Sequence, residues 1–154
     1  MRVSIAGMAA QIFILFISLI ILPIYFMSII QYYKDINRIQ VAERNLVDYV
    51  IDNRQVSNEC LAEFNIALAG VTTPVKADIQ REIRVINPSH DPSAERAEVT
   101  WAYTEWDTNT LWYQGDLITV SVKQEGSNLM QQISQLFLGS DYNKLDNQLV
   151  AMVR

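Results

Sequence analysis

Residues 12–51 read IFILFISLIILPIYFMSIIQYYKDINRIQVAERNLVDYVI, and the fold turns on how that stretch divides. Its first nineteen residues, 12–30, are apolar apart from Ser18, Pro23 and Ser28, and no charged residue occurs anywhere from 3 to 33. At a rise of about 1.5 Å per residue, a helix over those nineteen residues is roughly 28 Å long. That is close to the ~30 Å hydrocarbon core of a bilayer. Beyond residue 33 the pattern changes. Ile36, Ile39, Leu46, Val47, Val50 and Ile51 recur at three- and four-residue spacing, while Lys34, Arg38, Glu43, Arg44 and Asp48 fall on other faces. This is the signature of an amphipathic helix. No glycine or proline separates the two parts, so the sequence predicts one continuous helix. Its first half is apolar all round and its second half packs on a domain.

Working outward, residues 1–33 form an N-terminal membrane segment. Residues 34–154 form a single α+β domain that begins with the continuation of the same helix. The apolar run exceeds the roughly 7–15-residue core of a secretory signal, and only Arg2 precedes it as a basic residue. A small-x-small cleavage site does not follow it, so the segment is read as retained. Tyr25, Tyr32 and Tyr33 suit an interfacial aromatic belt. Counted by lysine and arginine alone, Arg2 before the span against Lys34, Arg38 and Arg44 after it favours an inward C-terminal domain.

The helix is expected to break at Asp52-Asn53. Ser57 or Asn58 then caps a second helix that ends near Ala69, with Cys60, Leu61, Phe64 and Leu68 inward and Gly70 closing it. Residues 75–86 are ambiguous, because Val75, Ile79 and Ile83 repeat every four while Ile83 and Val85 alternate. A short helix passing into a strand from about Glu82 is the expectation. Residues 87–93, NPSHDPS, read as a surface loop. Alternation predicts a strand over 98–106 and another over 117–123, LITVSVK, with a possible return strand at 111–113 between them. Leu129, Ile133, Leu136 and Phe137 predict a helix over 128–138 closed by Gly139, and 145–153 read as a last edge strand. The expected fold class is therefore α+β: a long N-terminal helix packed on a small antiparallel sheet of three or four strands.

The chemistry-bearing residues are sparse. The formal charge is −5 and the pI about 4.8, which excludes a basic face for nucleic-acid phosphates. Cys60 is the single cysteine and His90, in the 87–93 loop, the single histidine. No disulfide forms within one chain, and no common zinc set can be assembled. Cys60 reads as a small buried hydrophobe. There is no glycine-rich phosphate loop among five glycines. No enzymatic role, cofactor or metal is expected.

Five aromatics, Trp101, Tyr103, Trp106, Trp112 and Tyr113, crowd into thirteen residues across a presumed hairpin. Two readings stand beside each other. In one, Trp101 and Tyr103 fill the core and the others cover the hairpin end. In the other, Trp106, Trp112 and Tyr113 form a contact surface for a partner, a peptide or a sugar.

Taken together, GMAAQIFILFISLIILPIYFMSIIQYYKDINRIQVAERNLVDYV resembles the N-terminus of TadE-type, type IV pilin-like proteins. Ala9-Ala10-Gln11-Ile12-Phe13 occupies the stretch before the apolar run, and Val41-Ala42-Glu43-Arg44 the helical stretch after it. Gly115-Asp116 with 117–122 is similar to the family's GD-hydrophobic-T-V-x-V strand, and 149–154 to its last strand. The resemblance implies a minor pilin or pseudopilin that assembles with other pilus or secretion subunits, as a homo- or hetero-oligomer, through its N-terminal helix. It also implies a domain outside the cytoplasmic membrane, against the lysine and arginine count. Processing would fall at Ala6 or Gly7, and helix–helix assembly would involve Gly7, Ala9, Ala10 and Gln11, where small residues permit close approach. Two departures stand out. Gln11 replaces the family's usual glutamate and cannot neutralise an ammonium, and Pro23 is not at the family's usual offset. Two further readings stay open: a membrane-anchored adhesion domain, and a bitopic accessory subunit with a cytoplasmic domain.

Overall fold

A computed structural model describes residues 5–87, 98–139 and 144–154. Helix α1 runs unbroken over Ile5–Asn53, 49 residues, as the missing breakers imply. It continues through Pro23, which has no N–H to offer the Leu19 carbonyl one turn earlier. Four residues before Leu22, the Ser18 hydroxyl donates to the Ile14 carbonyl at 2.8 Å. The helix stops where Arg54 enters the left-handed region at φ 55°. There its N–H still reaches the Val50 carbonyl at 2.8 Å, and its own carbonyl accepts the Trp112 N–H at 2.8 Å.

Helix α2, Asn58–Ala69, follows directly. Ser57 is its N-cap and accepts the Cys60 N–H at 3.1 Å. Cys60, Phe64 and Leu68, four residues apart, turn one stripe into the core. Gly70 ends the helix, and the Arg38 side chain of α1 donates to its carbonyl. A Cβ at position 70 would meet that guanidinium at 2.7 Å, a contact to which the end of the long Arg38 side chain can yield.

The remaining elements are strands β1 (Val75–Asn87), β2 (Glu98–Thr104) and β3 (Leu117–Gln124), helix α3 (Leu129–Leu138) and strand β4 (Asp146–Met152). The four strands form one antiparallel sheet in the order β2-β1-β3-β4. β1 is its spine. Residues 75–82 pair with β3 (Val75 with Gln124, Ile79 with Val120), and residues 81–87 pair with β2 on the other edge (Arg81 with Thr104, Ile86 with Val99). The sheet is therefore staggered, and β2 extends past the end of β3.

The short helix expected before Glu82 does not exist: residues 75–87 are strand throughout. A repeat of four fits both periods, because residues four apart share a face in a strand as well as a helix. Tertiary pairing decides between them. Val75, Ala77 and Ile79 share a face with Val120 and Val122 of β3 through the cross-strand register, and that face packs on α1. The return strand at 111–113 is also absent. Leu111 makes a lone bridge to Gln55, so the segment crosses to the end of α1 instead of closing an aromatic hairpin. β2 ends at Thr104, two residues earlier than expected.

The core lies between the second half of α1, α2 and the inner sheet face. Ile39, Leu46, Val50, Phe64, Trp112, Ile118, Val120 and Leu145 are among its members. From Gly7 onward, Ser28 is the first residue of α1 to become buried. Glu43, expected on a solvated face, is instead 1% exposed beneath β4.

Candidate functional site

The first half of α1 leaves a long apolar surface uncovered by the rest of the described residues. Among the described residues one helix, Gly7–Asn53, is long and apolar enough to cross a membrane, and only 6% of its most apolar window is buried. A core helix of a soluble protein would be covered by its own domain. Here Ile12, Phe13, Phe16, Leu19 and Phe26 all stand exposed, at a density that water does not tolerate as a free surface.

The expected assembly residues occupy the first turns of that helix. Gly7, Ala10 and Gln11 share one face by their three- and four-residue spacing, whereas Ala9 projects from the opposite side. Gly7 is half-buried, and Ala9, Ala10 and Gln11 are exposed. Ala6 precedes them within the same helix.

Where α1 enters the domain, its inward face carries two carboxylates in line with Ile39 and Leu46. Asp35 is buried. Its Oδ1 accepts the Thr72 N–H at 3.1 Å and the Thr72 hydroxyl at 3.3 Å, and its Oδ2 accepts the Thr73 hydroxyl at 3.4 Å. It thereby pins the α2–β1 connection to the helix. Two turns on, Glu43 accepts a hydrogen bond from the Asn147 side chain of β4, while its Oε1 is buried without a partner among the described residues. Burial pushes the Glu43 carboxyl up to about 7, partly opposed by the Asn147 hydrogen bond. The neutral acid is the form this environment prefers.

A second polar centre sits at the other end of the sheet. Arg81 occupies a core-facing position on β1, and its Nε and Nη2 both reach Asp116 Oδ2, at 2.9 and 2.5 Å. The same carboxylate oxygen accepts the Tyr113 N–H at 2.9 Å. The guanidinium also lies 5.5 Å from the Trp112 ring centroid and 5.8 Å from that of Tyr113. Gly115, at φ 97°, makes the turn that aims Asp116 inward. Its N–H donates to the Val153 carbonyl at 2.8 Å, and the Val153 N–H donates back to Asp116 at 2.9 Å. The Gly115-Asp116 pair thus joins β1, β3 and the C-terminal end.

The expected aromatic contacts separate into different environments. Trp112 is 1% exposed and belongs to the core, so it is corrected from contact residue to packing residue. Trp106 packs against the core, its ring 6.0 Å from that of Trp112. Its indole N–H caps the Ile79 carbonyl at 2.9 Å, beyond the end of the β1–β2 ladder. Only Tyr113 of the three is openly exposed. The core role read for Trp101 and Tyr103 is overturned as well, since they are 41% and 73% exposed. With Ile86 and Val99 they share the outer face of the β1–β2 ladder. Alternation marked one face of β2 as aromatic, but which face points inward is set by register with β1.

Asp35, Glu43 and Arg81 were missed by sequence reading, and two of them carried a signal. Asp35 and Glu43 fall on the same stripe as Ile39 and Leu46, so charge within an apolar stripe pointed to them. His90 lies outside the described residues. Among the described residues no group of three or more His, Cys, Asp or Glu side chains could hold a metal ion. The chain matches no protein-family model, no curated protein and no solved structure.

Proposed function

We propose that this chain is a non-enzymatic, membrane-anchored structural subunit of a pilus or secretion apparatus, a pilin-like protein of the TadE type. It inserts by the first half of α1 and displays the α+β domain outside the cytoplasmic membrane. The observation that supports this reading most is the change of environment along one unbroken helix. Residues 8–20 of α1 are exposed without a break and mostly apolar, while Ile39, Leu46 and Val50 are fully covered. A subunit that moves from bilayer to filament needs this division, because its bare half exchanges lipid for neighbouring helices and stays out of water in both states. Gly7 and Ala10 on one face would permit those helices to approach closely. Gln11 would supply a hydrogen bond where the family places a charge.

The mature N-terminus tests the proposal. Mass spectrometry of the protein recovered from its assembled fraction should show a chain beginning at Gly7 or Met8; an intact Met1 in that fraction rules out pilin processing. Orientation is read by labelling Glu105→Cys in a Cys60→Ala background with a membrane-impermeant maleimide. Labelling of whole cells is expected, and labelling only after lysis places the domain inside.

A further inference from the structure

Helix α3 is built inside out. Its ten residues, LMQQISQLFL, contain no charge, and none occurs from 126 to 140. Yet the two side chains it buries against the protein are polar. Gln131 is 4% exposed and exchanges hydrogen bonds with Gln124 at 3.2 and 3.0 Å. Ser134 is equally buried and donates to the Met130 carbonyl at 2.9 Å. Three large apolar residues face away, with Gln132 beside them: Leu136 is 82% exposed, and Leu129 and Phe137 are also open. A helix in contact with water shows the reverse arrangement.

Its position along α1 explains this. Asn128, the N-cap, donates to the Thr73 hydroxyl at 2.9 Å, beside Asp35. From there α3 descends along α1 toward the N-terminal end. Its last turns meet the apolar run itself, enclosing a groove of about 520 Å3 lined by Ile17, Ile21, Leu22, Tyr25, Ile133 and Phe137, among others. Any bilayer that takes up residues 17–26 of α1 therefore reaches α3.

We infer that α3 is a second membrane element, a short helix lying along α1 within the leaflet facing the domain, whose outward Leu129, Leu136 and Phe137 are covered by lipid acyl chains, which also fill the groove against α1. The inference rests on α1 being membrane-spanning. Acyl chains are favoured over a protein partner because the outward face of α3 is continuous with the bare surface of α1 and lies at its level. At ten residues α3 is about 15 Å long, too short to cross, so it enters the leaflet facing the domain and goes no further. The domain is thus held at a fixed height on the membrane by two contacts, not tethered by one.

The test uses the full chain in a Cys60→Ala background, with a bimane fluorophore on Leu136→Cys, Leu19→Cys or Tyr103→Cys. Each is reconstituted into phosphatidylcholine vesicles with or without lipids brominated on the upper acyl chain. Emission from positions 136 and 19 should fall about twofold or more with brominated lipid, and that from 103 should not change. Quenching at 19 without quenching at 136 overturns the seating of α3 and leaves the span intact. Quenching at neither position overturns the membrane reading itself. Quenching at 136 that emerges only on dilution into excess lipid shows another copy covering the face, and also overturns the inference.

Discussion

Arg81 of β1 and Asp116 of the turn before β3 meet at 2.5 Å with both side chains more than nine-tenths buried. The pair ties the sheet's longest strand to the chain's C-terminal end. Because the Tyr113 N–H shares the same carboxylate oxygen as Arg81 Nε and Nη2, removing the acid strands three N–H donors at once. Asp116→Ala is expected to cost about 3–5 kcal/mol in chemical denaturation of the full chain in detergent. Replacing both partners, Arg81→Met with Asp116→Leu, should cost less than either single change, since no uncompensated charge remains. Additive losses from the two sites would show that the ion pair is not the coupling element.

Glu43 makes folding pH-dependent. Its folded pKa of about 7 lies above the ordinary value of 4.5, so the folded state holds a proton that the unfolded chain releases. That contribution is fully present below about pH 4.5 and is lost as pH rises through about 7. At pH 8 the cost approaches about 3 kcal/mol. Glu43→Gln should therefore stabilise the protein at pH 8 and have little effect at pH 4.5. Asn147→Leu removes the one hydrogen bond that favours the charged form and should steepen the pH dependence. Thermal unfolding between pH 4.5 and 8 measures all three proteins, and a flat wild-type profile would contradict the assignment.

Asp35 predicts a local effect. Its carboxylate accepts hydrogen bonds from Thr72 and Thr73, so Asp35→Ala leaves one backbone and two hydroxyl donors without their acceptor. A loss of about 1–3 kcal/mol is expected. Hydrogen exchange should accelerate first at the Thr72 amide, while amides in the β1–β3 ladder keep their protection. Equal acceleration across the sheet would mean that Asp35 supports the whole core.

The helices and the edge strand β4 were legible because caps, breakers and periodicity lie close in sequence. Ser57, Gly70, Asn128 and Gly139 each mark a boundary that the structure keeps. What was not legible depends on partners far along the chain. Residues 75–82 become strand because β3 lies about 40 residues later with a matching apolar face. Trp112 is carried inside because its backbone N–H meets the Arg54 carbonyl and Leu111 bridges Gln55, which brings this segment against the end of α1. The outward face of α3 has the spacing of an ordinary amphipathic helix; only its neighbours reveal that the side carrying Gln131 and Ser134 is the covered one.

The two aromatic environments predict opposite mutational outcomes. Trp112 is enclosed beside Arg81 and Trp106, so Trp112→Ala should lose about 3–5 kcal/mol of stability. Tyr103 stands open on the outer sheet face, and Tyr103→Ala should change stability by less than about 0.5 kcal/mol. If that face contacts a partner, Tyr103→Ala and Trp101→Ala will reduce assembly or adhesion at unchanged thermal stability. Retention of both functions in the double variant would remove the outer sheet face as a contact surface.

Assembly through the N-terminal helix is tested by the asymmetry of its small residues. Gly7 and Ala10 lie on one face and Ala9 on the other. Ala10→Leu adds a bulky side chain where neighbouring helices would approach, yet makes the helix more apolar and so does not impair insertion. It should abolish incorporation into the assembled fraction while membrane recovery stays at the wild-type level. Ala9→Leu, on the far face, should be milder. Gln11→Glu restores a charge that a neighbour's N-terminal amine can neutralise, and should raise incorporation if that amine is free after processing at Gly7. If the three variants assemble as well as the wild type, packing at this end of α1 does not drive assembly, and the domain's own surfaces must carry it.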